Sequence, residues 1–338
     1  MTYAGTATAR SSTDGLDNTI AIASNACHAL ALRTDGTVWG WGCNSEWDLG
    51  ATAPDGADST TAPIQATGLD QVRSIAFGNG HGLTARADGT VWAWGANDFG
   101  QIGVATDDCP IHHLPCSQVP VPVPGLSDIK AVAASDRTSF AVKADGTVLA
   151  WGRGQFGELG TGSLENSATP AVVPGITDVV MLSGGNLSVL ALRSDGTVWT
   201  WGGLKEQFTP TQIPGLAQVV AIAAGSVRNL ALTSDGAVWT WGWVANPSPM
   251  QVTGLAPMVA IATGSQADAA LAADGTIWTW NWDRYTDAPR NPPERVEGVS
   301  SVVAIAMNAD DEVTMLKADG TAWTWRPYSK IHQVPAPA

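Results

Sequence analysis

Residues 72–95 read VRSIAFGNGHGLTARADGTVWAWG. This stretch consists of short segments, each with its own pattern of apolar and polar residues. A short apolar run ends at a glycine and an alternating segment follows. Asp88 and Gly89 then separate it from a second alternating segment, which contains Trp92 and Trp94. Alternation with a period of two predicts strands, and an Asp-Gly pair between two such segments predicts a tight hairpin turn. The stretch therefore predicts three consecutive antiparallel strands.

The same pattern occurs seven times along the 338 residues. Each copy is followed by a short segment such as Met-Gln-Val at 250–252, which predicts a fourth strand. The turn aspartates are 53, 57, 50, 40, 39 and 45 residues apart, a spacing typical of propeller blades. The copies are centred on Asp35, Asp88, Asp145, Asp195, Asp235, Asp274 and Asp319.

One such unit is too small to bury its own apolar face, so the copies are expected to pack into one closed body. We predict an all-β fold, a seven-bladed β-propeller of four-stranded antiparallel blades, in which residues 17–338 form a single propeller domain. Residues 1–16 are a separate N-terminal segment in this prediction and a candidate edge strand.

Closure of the ring requires that the two chain ends meet, because an open ring leaves unpaired strand edges. We expect pairing of N- and C-terminal strands to complete the blade of the first repeat. Residues 331–335 resemble the fourth-strand segments of other repeats, and residues 9–17 resemble residues 62–70. The sequence leaves open which end provides the closing strand.

The Trp-x-Trp motif predicts how the blades pack. Both indoles lie on one face of the strand and smaller side chains on the other, so the indoles are expected to wedge between blades. Thirteen of the 16 tryptophans occupy this motif, and Leu149 replaces the first of them in the third repeat. Trp47, Trp243 and Trp282 lie outside it and are candidates for an exposed surface.

Two local cysteine pairs predict disulfides. Cys27 and Cys43 lie symmetrically about the first Asp-Gly turn, so a hairpin places them opposite each other. Cys109 and Cys116 bracket the segment Pro-Ile-His-His-Leu-Pro. Such pairs favour an oxidising compartment, secreted or periplasmic, and four reduced thiols in a cytosolic protein are the alternative.

The second cysteine pair is also a possible zinc site, together with His112 and His113. Adjacent histidines do not easily turn toward one ion, so a disulfide is favoured over a tetrahedral metal site. We predict no metal and no cofactor.

Composition excludes several classes of function. The net charge is −14, and no basic run is present, which argues against nucleic-acid binding. No apolar stretch is long enough to span a membrane, and the N-terminus lacks the apolar segment of a signal peptide. No nucleophile elbow, P-loop, dinucleotide fingerprint or zinc-protease motif occurs, so no catalytic residue is predicted. We expect a soluble, monomeric protein.

The repeat resembles the regulator of chromosome condensation (RCC1-like) repeat family, and most fully so in residues 72–95. Residues 96–103 and 153–160 are similar to the family's Asn-x-x-Gly-Gln-Leu-Gly segment. The resemblance covers residues 17–338 and implies a seven-bladed propeller, as in bacterial members. It implies little about activity, because the family includes exchange factors, photoreceptors and enzyme inhibitors.

Departures from the family pattern argue against some of the functions found in this family. The basic tail of the chromatin-bound exchange factor has no counterpart here. The Gly-Trp-Arg-His-Thr loop of the plant photoreceptor is also absent, so a comparable light sensor is not expected. The last three repeats lack the Asn-x-x-Gly-Gln-Leu-Gly segment, so we expect one half of the ring to have long loops and the other half to have short ones.

Loops between first and second strands form the predicted binding site, because propellers bind with loops around one end of the channel. We expect Arg137 and Arg228 to face an acidic group at 310–312. The predicted loop ring consists of Asn25, His28, Asn79, His81, Asp136, Arg137, Asn186, Arg228, Asn229, Gln266, Asp268, Asp310, Asp311 and Glu312.

Two functions remain open at this point. The favoured one is a scaffold, of adaptor or inhibitor type, that presents the loop ring and the insertions at 43–63 and 96–118 to an unknown protein or peptide. The alternative is an enzyme or small-ligand protein whose site lies at the channel mouth among Asp136, Arg137, Arg228 and Asp310.

Overall fold

The computed structural model describes residues 16, 18–25, 27–53, 56–109, 113–203, 207–242, 248–283, 288–289, 291–326 and 331–335. Within those ranges it contains 29 strands and no helix. The strands form seven antiparallel sheets, one for each repeat, and each sheet is a blade of a β-propeller. The fold class predicted from the repeats is confirmed.

The strands of each blade follow one another along the chain. Blade 1 contains β1 (Thr19–Asn25), β2 (His28–Arg33), β3 (Val38–Cys43) and β4 (Ser59–Gln65). Blade 2 contains β5 (Val72–Phe77), β6 (His81–Arg86), β7 (Val91–Ala96) and β8 (Cys116–Pro122). Blade 3 contains β9 (Ile129–Ser135), β10 (Thr138–Lys143), β11 (Val148–Gly152) and β12 (Ser167–Val172). Blade 4 contains β13 (Val179–Gly184), β14 (Ser188–Arg193), β15 (Val198–Gly202) and β16 (Thr211–Gln212).

Blades 5 to 7, like blade 4, have outer strands of only two residues. Blade 5 contains β17 (Val219–Ala224), β18 (Arg228–Thr233), β19 (Val238–Gly242) and β20 (Met250–Gln251). Blade 6 contains β21 (Met258–Thr263), β22 (Ala267–Ala272), β23 (Ile277–Asp283), β24 (Ala288–Pro289) and β25 (Glu294–Arg295). Blade 7 contains β26 (Val302–Met307), β27 (Val313–Lys317), β28 (Ala322–Trp325) and β29 (His332–Gln333). Blade 6 has a fifth strand because the long β23 pairs with both β24 and β25.

The two ends of the ring have different connections. Loops between first and second strands, and between third and fourth strands, lie at one end, which we call the loop face. The Asp-Gly turns and the links to the next blade lie at the other end, the turn face. First strands of neighbouring blades contact one another around the axis.

The Asp-Gly turns fasten each blade to the next. The Asp88 carboxylate accepts hydrogen bonds from the backbone and hydroxyl of Thr90. Gly89 has a φ of 81°, and its carbonyl accepts a bond from the Ile129 backbone nitrogen in the next blade. A Cβ on Gly89 would lie 2.8 Å from the backbone of Asp128, so both conformation and contact require glycine. The equivalent bond occurs at six successive interfaces, from blades 1 and 2 to blades 6 and 7.

The two indoles of the Trp-x-Trp motif have different environments, so the prediction that both wedge between blades is half right. The second indole, such as Trp94, is buried between blades in six of the seven repeats. The first indole, such as Trp92, is half-buried, with the Arg86 guanidinium 5.4 Å from its ring. A cation can cover this face because it stays hydrated while its stem packs on the ring.

The three tryptophans outside the motif do not form a common surface. Trp282 is buried, which corrects its assignment to a surface, and Trp47 is half-buried. Trp243 lies outside the described residues.

Ring closure differs from the prediction. β29 pairs with β28 in its own blade, and all four strands of blade 1 come from the first repeat. The C-terminal segment therefore does not complete blade 1, because the insertion at 43–63 already provides the fourth strand there. Among described residues the ring closes by packing, with Ile22 of blade 1 against Ala304, Ala306 and Leu316 of blade 7. The other candidate, residues 9–17, lies outside the described residues except for the buried Leu16.

Candidate functional site

The central channel opens at the loop face. Its volume is about 210 Å³, and first strands of all seven blades line it, mainly with small side chains and backbone. Hydrogen bonds run around its rim from blade to blade, such as the one from the Asn79 backbone nitrogen to the Asp136 carbonyl at 2.7 Å. The lining at this end includes the polar residues Asn25, Asn79, Asp136, Asn186, Ser226 and Asn308.

Arg137 joins loops of three blades on one side of this rim. It lies between the first and second strands of blade 3, and its guanidinium nitrogens are 2.9 and 3.2 Å from the two carboxylate oxygens of Glu46 in blade 1. Asp98 of blade 2 lies 3.4 Å away. The side chain of Arg137 is only 17% exposed. A bidentate, half-buried pair of this kind fixes geometry as well as contributing energy.

Arg153 extends the same arrangement within blade 3. Its guanidinium donates to Asp136 at 2.7 Å and to the fully buried Glu158 at 2.8 Å. It also lies 5.9 and 5.3 Å from the rings of Phe99 and Phe156. We call the six charged groups the ionic network. The ionic network consists of Glu46, Asp98, Asp136, Arg137, Arg153 and Glu158.

Four members of this network were not among the predicted site residues, because they lie in loops between third and fourth strands. A repeated pattern in the sequence could have identified these four residues. The segments 44–50, 97–103 and 154–160 repeat one spacing and carry acidic groups, while the neighbouring Arg153 is one of few cations in the chain.

Three equivalent loop residues also connect neighbouring blades. Their backbone carbonyls accept bonds from buried indoles of the next blade at 2.6, 2.8 and 2.8 Å. Of the three side chains, Glu158 pairs with Arg153, whereas Oδ1 of Asp48 has no hydrogen-bond partner among the described residues. Burial and the nearby charge of Glu46 raise the pKa of Asp48 to about 7. The carbonyl acceptors are Asp48, Gln101 and Glu158.

The predicted loop ring divides by exposure. Side chains that are buried cannot contact a partner without opening a blade. The exposed members are Asn79, Asn186, Gln266 and Asp310. The half-buried members are Asn25, Asp136, Arg137, Asp311 and Glu312. The buried members are His28, His81, Arg228, Asn229 and Asp268.

The two predicted histidines are neutral groups inside blade interfaces. The His28 ring packs edge-on against Phe77 with 4.2 Å between ring centroids. His81 Nε2 lies 3.0 Å from the Ser139 hydroxyl. Burial lowers the pKa of both rings to about 3.

Arg228 belongs to a buried cluster rather than to an exposed ring. Its guanidinium lies 3.6 Å from the ring centroid of Trp282, whose indole donates to the Asp268 carboxylate. Burial raises the pKa of Asp268 to about 6, although the charge of Arg228 opposes this. The cluster links blades 5 and 6, where Trp280 Nε1 has no hydrogen-bond partner among the described residues.

The acidic group at 310–312 contacts loops of blades 6 and 7 and not Arg137, which pairs with Glu46 and Asp98, so the expectation is wrong for Arg137. The Asp311 carboxylate accepts bonds from three successive backbone nitrogens, at 265–267, between 2.8 and 3.0 Å. Glu312 pairs with Arg326. Asp310 and Glu312 lie beside Arg326 of blade 7, whereas Asp136 and Arg137, named with Asp310 for an enzyme site, pair with groups of blades 1 to 3.

Both predicted cysteine pairs are joined in the structure. The Cα atoms are 5.6 Å apart in the pair Cys27 and Cys43 and 5.6 Å apart in the pair Cys109 and Cys116. Bonded thiols cannot bind zinc, and His112 lies outside the described residues. The described part of the chain holds no cluster of metal-binding side chains and no helix that could cross a bilayer.

Solved structures of other proteins share this fold. Prp20p from Saccharomyces cerevisiae is 22% identical, with a TM-score of 0.72 over 91% of this chain and 87% of that one. Human WBSCR16 is 19% identical, with a TM-score of 0.71 over 87% of this chain and 89% of that one. At these identities the likeness shows the fold alone.

Curated relatives match about half of this chain or less. Protein pim1 of Schizosaccharomyces pombe is 29% identical over 44% of this chain and 29% of its own length. Ultraviolet-B receptor UVR8 of Arabidopsis thaliana is 32% identical over 42% of this chain and 31% of its own length. Guanine nucleotide exchange factor SRM1 of Saccharomyces cerevisiae is 32% identical over 45% of this chain and 34% of its own length. The matches thus span about a third of these relatives or less.

The family model described as RCC1-like domain matches residues 5–248, which is more than half of the chain. The seven blades and their repeated hairpins agree with it. The chain therefore belongs to the family of RCC1-like domains.

Proposed function

We propose that the protein is a scaffold that binds a protein or peptide with its loop face, as an adaptor or an inhibitor. The observation that carries this proposal is the ionic network, which ties loops of blades 1, 2 and 3 into one fixed wall beside the channel mouth. A surface that is ordered before its partner arrives loses less conformational entropy on binding.

Exposed polar groups support the same proposal. Asn79 and Asn186 lie at the channel rim beside the wall, and Gln266 lies in the half of the ring with shorter loops. Amide side chains both donate and accept hydrogen bonds, which suits contacts with the backbone of a partner. The small channel and the paired state of the nearby charges favour such a contact surface over a reaction site.

The relatives are compatible with a protein partner. Prp20p is described with binding properties to Gsp1p and histones, and yeast RCC1 (Prp20) has been solved bound to Kap60. Those partners belong to that protein. The net charge of −14 here argues for a different partner, one without nucleic acid.

The test is a pull-down from the source organism with the immobilised protein, followed by titration calorimetry with the purified partner. We expect Asn186→Arg and Asn79→Arg to weaken binding at least about tenfold, because a long cation at the rim obstructs the contact. Ser300→Arg, an exposed position on the turn face, is the matched control and should bind normally. A partner retained equally by all variants, or none retained by the wild type, would contradict the proposal.

The network itself gives a second test of the proposed function. Arg137→Ala removes the link between the three loops, so the wall loses its fixed shape while the blades remain packed. We expect weaker binding of the same partner with an unchanged thermal midpoint, within about 2 °C. Equal affinity of wild type and variant would show that the wall does not take part.

We also propose that the protein works in an oxidising compartment, secreted or periplasmic. The support is that both cysteine pairs have the Cα separation of disulfides, at 5.6 Å each. Fractionation of the source cells with an antibody against the protein tests this, and recovery in the cytosol alone would contradict it.

A further inference from the structure

A ring of equivalent residues surrounds the channel at the turn face, opposite the proposed site. In every blade the second residue of the first strand is skipped by the pairing with the second strand, so it forms a bulge. The ring consists of Ile20, Arg73, Lys130, Val180, Val220, Val259 and Val303.

Four of these residues form a continuous apolar arc. Val180, Val220, Val259 and Val303 belong to the consecutive blades 4 to 7, and 45, 50, 38 and 38% of their surfaces are exposed. The half-buried Ile20 of blade 1 continues the arc. Since first strands of neighbouring blades contact one another, these equivalent positions follow one another around the channel from blade to blade.

Packing does not require aliphatic residues at these positions. Arg73 and Lys130 occupy the equivalent bulges of blades 2 and 3, are exposed, and leave the strand pairing unchanged. A position that accepts a cation in two blades does not need valine in four others for stability. The run of aliphatic side chains is therefore unexplained by the fold.

The two cations of the ring, Arg73 and Lys130, give a second and independent indication that it binds a ligand. Two cations of the turn face pair with carboxylates, Arg86 with Asp70 and Arg193 with Asp178. Arg73 has no such partner among the described residues. Lys130 donates to a backbone carbonyl, that of Val179 at 3.0 Å, and forms no ion pair there. In a chain with a net charge of −14, two adjacent cations without carboxylates favour an anionic group from outside.

We propose that this ring, the apolar arc with its cationic pair, is a second docking surface and that its occupant is a protein segment carrying aliphatic side chains next to carboxylates. The aliphatic side chains contact the valine arc, and the carboxylates pair with Arg73 and Lys130. This surface does not depend on the loop face, so the protein is able to hold two partners at opposite ends of the channel.

The experiment measures fluorescence anisotropy of labelled peptides with the purified protein. The first peptide has four repeats of Leu-Glu-Ser, and the two control peptides replace either Glu by Lys or Leu by Ser. We expect the Leu-Glu-Ser peptide to bind at least about tenfold more tightly than either control. Equal binding of the three peptides would overturn the proposal.

Variants then locate the binding. Arg73→Glu with Lys130→Glu should weaken the Leu-Glu-Ser peptide by about tenfold or more and favour the lysine peptide instead. Val220→Ser with Val259→Ser should weaken it similarly. Val172→Ser is the matched control, since Val172 is 58% exposed on the outer strand of blade 3, and should leave binding unchanged. All variants keep buried positions intact.

Other occupants would give different results. A dimer in sedimentation velocity that the valine variants abolish would assign the arc to a second copy of the chain and overturn the proposed occupant. Binding to vesicles of phosphatidylcholine with phosphatidylserine, lost in the same variants, would assign it to a membrane and also overturn it. Arg137→Ala should not affect peptide binding, which separates this surface from the loop face.

Discussion

Trp151 shows how a single residue connects two blades. Its indole is fully buried, and its Nε1 donates to the Gln101 carbonyl in the loop of the preceding blade at 2.8 Å. Trp280 holds the same place in blade 6 and is equally buried, but its Nε1 has no partner among the described residues. The two positions thus have similar packing and differ by one hydrogen bond.

This difference predicts unequal costs for the same substitution. Trp151→Phe and Trp280→Phe both remove part of a buried ring, but only the first also removes a hydrogen bond, which leaves the Gln101 carbonyl with the Ser139 hydroxyl as its donor. We expect Trp151→Phe to lower the free energy of unfolding by about 1 kcal/mol more than Trp280→Phe. Urea unfolding of both variants measures it, and equal losses would mean that the indole bond contributes nothing.

Asp48 gives a pH-dependent prediction. Its carboxyl has a pKa of about 7 in the folded protein against 3.8 ordinarily, so between these values the folded state binds more protons than the unfolded one. Asp48 therefore lowers the free energy of unfolding progressively as the pH rises from 4 to 7. Above pH 7 this loss is complete and no longer changes with pH. Asp48→Asn should stabilise the protein by about 1–3 kcal/mol at pH 8 and by almost nothing at pH 4.

Thermal unfolding of wild type and Asp48→Asn across this pH range measures the effect. Gln101 holds the equivalent place in blade 2 as an amide, which shows that the loop accommodates one. A stabilisation that is the same at pH 4 and pH 8 would refute the raised pKa as its cause.

At the scale of elements, the two disulfides constrain different structures. Cys27, directly before β2, and Cys43, at the end of β3, are joined at the loop face across a separation of 16 residues. Cys109 and Cys116 close a separation of 7 residues within the insertion of blade 2. A longer closed loop removes more entropy from the unfolded chain.

Replacement of each pair by serine should therefore have unequal effects. We expect the Cys27 and Cys43 double variant to lose up to about 3 kcal/mol of unfolding free energy, and the Cys109 and Cys116 variant to lose less. Guanidinium unfolding without reductant measures both. If the insertion pair costs more, loop strain rather than chain entropy dominates.

The state of the cysteines is directly measurable. Two disulfides make the intact chain about 4 Da lighter than the reduced chain, because each bond removes two hydrogens. Mass spectrometry of unreduced protein should show this difference, and native protein should resist alkylation. Alkylation of all four cysteines without reductant would exclude both bonds.

Elements that depend on local sequence were predictable, and those that depend on distant contacts were not. Asp88 and Gly89 mark a hairpin because turn conformation is a local property. The pairing of Arg137 with Glu46 joins residues 91 positions apart, and no local pattern reports it. Arg228 shows the same limit, because its burial depends on Trp282 of another blade.

For the whole molecule, the joint between blades 7 and 1 differs from the joint between blades 3 and 4, because its buried apolar residues, among those described, are divided between two small clusters. Its two clusters of buried residues have six and four members, whereas the cluster between blades 3 and 4 has 13. The carbonyl bond from an Asp-Gly turn to the next first strand occurs at the other six interfaces. In the part of the chain that the structure describes, closure here relies on side-chain packing and no strand is shared between the chain ends.

Local opening should therefore begin at this joint. Divided clusters and the lack of the turn bond lower the free energy of opening at this joint below that of the whole fold, so amides there exchange faster. We expect β1 and β26 to exchange with deuterium at least about tenfold faster than β9 and β13, measured by mass spectrometry under native conditions. Leu316→Ala should accelerate exchange in β1, while Val189→Ala between blades 3 and 4 should leave β1 unchanged. Uniform exchange in all first strands would mean that the ring opens as one cooperative unit and that packing alone closes it as firmly as the bonded interfaces.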